Sequence, residues 1–324
     1  AYYVTKKSYG LNDISVPMIN HYGGELAALL TAVFWTITAL AFESASKKVG
    51  SLSVNLIRLF LAMVLLGIFG LFTRGSFIPF DAGSHQWIWL SVSGLVGFVL
   101  GDLFLFQAYV VVGARISMLI MAMAPPIAAI TGWLLMGETM DVKSLLGMVM
   151  TFAGISMAIM ARKEPGTNNG KNRFSNPLRF RYPIKGLLLA FGGAAGQGVG
   201  LVLSKYGMGD YDAFAATQIR VLTGVAGFIL VISIYGGWSR VREALQNKPA
   251  LKRLGLGAFF GPFLGVSFSL IAVKYTTSGI ASTIMSIVPV LIILPSVLIM
   301  KEKVTWREIA GALVAVGGVS LFFI

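Results

Sequence analysis

The sequence predicts an all-α integral membrane protein of about ten transmembrane helices, arranged as two inverted five-helix repeats. Three observations carry that expectation. Of 324 residues, 56% are hydrophobic and only 12% are charged, whereas a soluble chain has about a quarter of its residues charged. Apolar runs of about twenty residues recur along the chain, long enough to cross a ~30 Å hydrocarbon core as helix. The segment PPIAAITGWLLMGE, residues 125–138, also has a later counterpart in PVLIILPSVLIMKE, residues 289–302, with proline and glutamate equally far apart. A β-barrel would need short alternating segments, and none are present.

Taken in order, hydropathy places the first five spans near 25–45, 52–72, 87–112, 114–137 and 142–161. The second five fall near 184–204, 213–235, 251–274, 278–300 and 306–324. Residues 1–24 form a polar N-terminal tail without a signal-peptide pattern, in which Met18 is a candidate natural start. Residues 25–161 make the first repeat, 162–183 a basic linker rich in Gly, Asn and Pro, and 184–324 the second repeat.

A shift of 164 residues aligns Ser117–Ser156 with Ala281–Ser320 without a gap, with nine of forty positions identical. Pro125/Pro289, Glu138/Glu302, Gly147/Gly311 and Gly154/Gly318 weigh most, because those residue types are scarce or positionally constrained. The same shift maps Gly97-x-x-x-Gly101 onto Gly261-x-x-x-Gly265. Glycines four apart make a smooth helix stripe that lets a neighbouring backbone approach. A shift of 162 aligns NLIRL with TQIRV and so pairs Arg58 with Arg220. Five spans per half force the second half to insert upside down, an architecture common among secondary transporters.

These residues resemble the EamA-like family of the drug/metabolite transporter (DMT) superfamily. The likeness rests on GELAALLTAVFWTITALAFESASKKVGSLSVNLIRLFLA, on ARISMLIMAMAPPIAAITGWLLMGETMDVKSLLGMVMTFAGIS and on ASTIMSIVPVLIILPSVLIMKEKVTWREIAGALVAVGGVSLFF. The fourth span ends in Gly137-Glu138 in the first half but in Lys301-Glu302 in the second. The resemblance implies a transporter of small metabolites, exporters of amino acids among them. It also implies a central cavity lined by the first, third and fourth spans of each half.

Composition narrows the chemistry. With no cysteine, the chain has no disulfide or thiolate chemistry, and His21 and His85 lie outside the apolar runs. No metal site and no cofactor are expected. The net charge of +13 lies mostly in short loops, which fits topology and anionic headgroups better than nucleic acid. Of the 24 cations other than Arg58 and Arg220, 18 lie on the linker side and six on the opposite side. The positive-inside rule then puts the linker in the cytoplasm, whereas the family resemblance puts the termini there.

The candidates for substrate binding or coupling are Asp102, Arg58, Arg220, Gln197, Trp35, Tyr109 and Tyr275. A charge at a helix centre costs at least ~2.5 kcal/mol on insertion scales, so intramembrane charges need a reason. Arg58 and Arg220 stand against the alternative of snorkelling to the headgroups. Asp102, near mid-span with Val266 as its counterpart, stands against a static packing role, and Arg58 is its nearest candidate partner. Gln197 lies in GGAAGQGVG, which resembles a phosphate loop but sits in an apolar span without the P-loop lysine. Trp133 shares the aromatic pattern of the other candidates. Gly97, Gly101, Gly261 and Gly265 are assigned to helix packing, and Pro125 and Pro289 to kinks. Glu138 and Glu302 read as caps near a following helix start.

The function expected is secondary transport of a small polar metabolite such as an amino acid, with export the expected direction, by alternating access between the inverted repeats. A lipid or lipid-carrier flippase of the same fold is the alternative. An integral-membrane enzyme lacks support, with no HExxH, GxSxG or acidic cluster in the sequence. The expected partners are the lipid bilayer and a small-molecule substrate, with protons a candidate coupling ion and no nucleic acid. Monomer and homodimer both remain open. The setting is the cytoplasmic membrane of a prokaryote, crossed many times.

Overall fold

A computed structural model describes residues 22–112, 117, 120–161, 183–291, 295 and 306–321. It is an all-α membrane protein, with no strand among the described residues. Six helical stretches are long and apolar enough to cross a membrane: Gly23–Ser46, Ser51–Arg74, Ser84–Val111, Ile184–Met208, Ala213–Tyr235 and Lys248–Tyr275. Shorter apolar helices accompany them in both halves. Glu302 and the linker fall outside the described residues.

The first half begins with α1 (Gly23–Val49) and α2 (Ser51–Arg74), a tight helical pair separated only by Gly50. That junction needs glycine: φ is +82° there, a left-handed region where a Cβ crowds the backbone. Its N–H still bonds to the Ser46 carbonyl and closes the last turn of α1. The third span is α3 (Ser84–Gly94), a π-helical segment over Leu95–Gly101, and α4 (Asp102–Val111). The fourth contributes α5 (Ala124–Met136) and the fifth is α6 (Val142–Ala161).

The second half repeats this plan with α7 (Ile184–Met208) and α8 (Ala213–Tyr235). A short amphipathic helix, α9 (Trp238–Gln246), then intervenes, buried through Val241 and Ala244. The third span follows as α10 (Lys248–Ala258), a π segment over Phe259–Gly265, and α11 (Val266–Tyr275). The remainder is α12 (Ser278–Met285), α13 (Val288–Leu291) and α14 (Trp306–Ser320).

Both third spans change from α to π and back at positions 164 residues apart, the offset of the sequence repeat. A π segment is unfavourable enough that its retention usually marks function. Here it ends immediately before Asp102 in one half and Val266 in the other.

The glycine stripes join the halves. A Cβ on Gly196 would lie 2.6 Å from the Gly101 Cα, and one on Gly200 would lie 2.9 Å from the Gly97 Cα. The third span of the first half therefore meets α7 backbone to backbone, and GGAAGQGVG is a packing surface. Gly261 and Gly265 face α1, where added Cβ atoms would strike Thr38 and Trp35. The fifth spans meet similarly, Gly154 against Ala315 and Gly318 against Thr151.

The prolines do something different from an interior kink. Ala122 and Met123 form a turn, and Pro125 sits in the first turn of α5, where its missing N–H costs nothing. Ser286 and Ile287 break the counterpart span just before α13, which contains Pro289. Proline thus restarts each fourth span after a break.

Candidate functional site

A cavity of about 210 Å³ lies between the halves, near the middle of the spans. From the first half it is walled by α1, α2, the third span and the start of α5; from the second by α7, α8, the third span and α12. Its lining extends along the spans as far as Tyr109, two residues before the end of α4. Asp102, Arg58, Arg220, Gln197, Trp35 and Tyr109 all line it, as does Pro125. Tyr275 does not. Its side chain is 68% exposed at the end of α11, and Trp133 is likewise turned outward. The side chain of Pro289 lies outside the described residues.

Asp102 is the centre of a polar cluster. Arg58 donates from Nη2 to its Oδ2, and Gln197 donates from Nε2 to its Oδ1 at 2.7 Å. The first contact joins two spans of one half, and the second joins the halves. Arg58 is fixed further by Nε donation to Asn55 Oδ1 at 2.9 Å. Its guanidinium lies over the rings of Phe106 and Phe42, at 4.9 and 5.4 Å from their centroids. Arg58 and Asp102 are only 6% and 4% exposed, so Arg58 does not snorkel. The two form a buried ion pair.

Arg220 is equally buried, at 4%, but differently placed. It lies 4.7 Å over the Phe98 ring, and its Nε is buried without a hydrogen-bond partner. Gly97 leaves room for it, since a Cβ there would lie 3.2 Å from Arg220 Nη2. No described acid lies within ion-pair distance of Arg220, although Asp102 is near enough to interact with it electrostatically. A guanidinium offers five donors in a planar fork that matches a carboxylate or phosphate.

One end of the molecule is closed by polar contacts between the halves. Glu138 pairs with Lys205 at 2.5 Å and accepts from the Ser278 backbone N–H at 2.9 Å. It therefore caps α12, a helix of the opposite half, and not the helix that follows it in sequence. Asp141 caps that following helix, accepting from the Ser144 N–H at 2.9 Å, and the bonds from Ser144 hold its carboxyl below the usual range. At the same end Arg74 donates to Gln218 at 3.1 Å, and Tyr211 donates to Asp81 at 3.0 Å. The cavity lies behind this closure. Among the described residues, no group of three His, Cys, Asp or Glu gathers to hold a metal ion.

Sequence reasoning missed Phe98, Phe42 and Phe106, the rings beneath the arginines, and Asn55, whose Nδ2 is itself buried without a partner. Apolar residues carry little contrast in an apolar chain. Asn55 had a signal, as a polar residue three before Arg58 and so on its face of the helix.

Two five-span repeats enclosing a cavity with a buried polar cluster define a multi-pass membrane protein of inverted-repeat architecture. The EamA-like transporter family matches residues 22–160 and again 184–324. The chain belongs to that family, one of the DMT superfamily. It is 27% identical over 203 residues to "Uncharacterized transporter YvbV" of Bacillus subtilis (strain 168), covering 61% of this chain. The match spans 59% of that relative's length. A solved structure described as "Crystal structure of protein" shares the fold at a TM-score of 0.66 and 17% identity, covering 93% of this chain and 97% of its own.

Proposed function

We propose that this protein is a secondary transporter that exports small carboxylate-bearing metabolites, amino acids among the compounds to be tested, across the cytoplasmic membrane of a prokaryote. The observation that carries this reading is Arg220, a buried guanidinium without an ion-pair partner, facing a cavity shared by two inverted halves. Substrate enters between the halves and seats its carboxylate on Arg220. The polar closure at the Glu138 end then yields while the opposite end tightens. Proteoliposomes loaded with a radiolabelled metabolite panel test the reading: carboxylate-bearing compounds should exchange, and no exchange by any of them would defeat it.

Asp102 is proposed as the coupling residue. It contacts Arg58 in its own half and Gln197 in the other, so its protonation would weaken one intrahalf and one interhalf contact together. Asp102→Asn keeps the shape but cannot titrate. It should retain exchange while losing accumulation driven by an imposed pH gradient; accumulation at the wild-type level would remove the coupling role.

A further inference from the structure

We infer that the cavity selects net monoanions, organic acids that carry a carboxylate on an apolar body and no free ammonium group, over zwitterionic amino acids. The inference rests on the transport reading for its setting, but it concerns what the cavity binds.

The first support is the charge inventory. The charged side chains lining the cavity among the described residues are two cations, Arg58 and Arg220, and one anion, Asp102. They leave one positive charge inside a low-dielectric enclosure, where Coulomb energies exceed those in water. A bound monoanion cancels that charge. A bound zwitterion leaves it in place and adds an ammonium group that needs its own anionic partner.

The second support is that the only such partner among the described lining residues is engaged. Asp102 Oδ2 accepts from Arg58, and Oδ1 accepts from Gln197 at 2.7 Å. An ammonium that took up a remaining lone pair of this carboxylate would share a charge that Arg58 already balances, and drawing Asp102 toward it would break that pair. Removing one member of a buried pair leaves an uncompensated charge, which is strongly unfavourable. The serine hydroxyls nearby are weak substitutes. Ser269 and Ser286, whose protons go to the carbonyls of Val266 and Thr283 at 2.7 Å each, can accept from an ammonium but bring no negative charge to it.

The third support is the contrast at Arg220. The Arg220 fork has an unsatisfied Nε and sits over Phe98, and Leu201 and Val266 add apolar surface to the cavity lining. A carboxylate there completes a charge-assisted hydrogen-bonded pair. The aromatic and aliphatic walls then take a hydrocarbon or ring, not a polyol or a second charge. Chemically, an acid of this class is supplied by reactions that remove or mask an amino group, such as transamination, deamination or N-acylation.

Three probes that share one ring and differ only in charge separate the alternatives: 3-phenylpropionate, phenylalanine and 2-phenylethylamine. Titration calorimetry on the full-length protein in detergent should rank 3-phenylpropionate about tenfold or more tighter than phenylalanine, with the amine weakest. A charge-assisted hydrogen bond of about 1.5–3 kcal/mol corresponds to a factor of that order. Arg220→Gln should abolish the acid's advantage. Equal or tighter binding of phenylalanine overturns the inference, as does absence of binding by all three. The wild-type ranking does not depend on whether the variant folds. Exchange of 2-phenylethanesulfonate, which stays ionised, in proteoliposomes tests transport separately. Monoanion binding without exchange would sink the transport reading alone, whereas exchange that favours phenylalanine over the sulfonate would sink the charge selection alone.

Discussion

Arg58 and Arg220 occupy corresponding places in the second spans of the two repeats, yet one is fully paired and the other is not. Around Arg58 stand Asp102, Asn55 and two aromatic rings. Around Arg220 stand Phe98 and Gly97, and where the first repeat supplies Asp102 the second supplies Val266. The backbone of the repeats stayed in register through the π segments, while the side chain that follows each segment diverged from Asp to Val. An inverted pair of identical halves would present two equivalent ion pairs and a neutral cavity. The difference at 102/266, with others near the arginines such as Asn55 against Thr217, leaves Arg58 paired and Arg220 without an ion pair, the position proposed above as an anion seat.

Stability is where the two arginines should part most widely. Asp102→Leu strands Arg58 and should cost about 3–5 kcal/mol. Adding Arg58→Met to that variant should restore most of the loss. Arg220→Met removes a charge that has no ion-pair partner and should be neutral or mildly stabilising, with substrate binding lost. Thermal unfolding of the four proteins in one detergent measures this. Equal destabilisation by Asp102→Leu and Arg220→Met would mean that the two arginines do the same structural work.

The next test makes the halves alike. Val266→Asp places a carboxylate at the repeat equivalent of Asp102, on the third span of the half whose second span carries Arg220. It should occupy the anion seat from within and weaken carboxylate binding by about ten- to hundredfold, matching the loss of a charge-assisted pair. Binding at the wild-type level would show that 266 does not face Arg220 closely enough for the repeat comparison to hold at side-chain level.

A smaller effect is expected at Gln197, which hydrogen-bonds Asp102 from the opposite half. Gln197→Met keeps volume and removes a hydrogen bond to a carboxylate, worth about 1.5–3 kcal/mol. The Arg58–Asp102 pair should survive, so Arg58→Met should remain as damaging in this background as in wild type. If Gln197→Met makes Arg58 dispensable, the cluster is one interhalf unit and not an intrahalf pair with an added tie.

Much of this is legible in the sequence. The spans follow from hydropathy because a lipid-facing helix must satisfy its backbone internally and show apolar side chains outward. The polar cluster follows from contrast: Asp102, Arg58, Arg220 and Gln197 stand out in runs where each polar group is costly. Contrast fails where the chain is uniform, so Phe98, Phe42 and Phe106 are invisible among 22 phenylalanines. It also misleads at span ends, where an aromatic such as Tyr275 serves the interface as readily as a cavity. Contacts across the repeat boundary are out of its reach altogether. The Glu138 cap on Ser278 spans 140 residues, and local spacing points to the nearer helix, which Asp141 caps. The helix α9 escapes notice because its apolar stripe, Trp238, Val241 and Leu245, is too short for a hydropathy window, although its spacing is helical.

The smallest effects, and the sharpest for the comparison, come from replacing each arginine by lysine. Lysine keeps the charge but loses the planar fork and the stacking. At position 58 the ammonium can still meet Asp102, though it gives up the Nε bond to Asn55 and the broad contact with Phe42 and Phe106. A stability loss of about 1 kcal/mol, near that of one net hydrogen bond, is expected there. Substrate affinity should hardly change. At position 220 the order reverses. No bond to a described acid is broken, so unfolding should shift little, but the two-point grip on a carboxylate becomes one point and affinity should fall about fivefold to tenfold. The crossed pattern, stability at 58 and affinity at 220, is the quantity to measure, by thermal unfolding and by calorimetry on the same preparations. Parallel losses in both assays at both positions would mean that the two arginines share the substrate, and that the division between a structural half and a binding half is wrong.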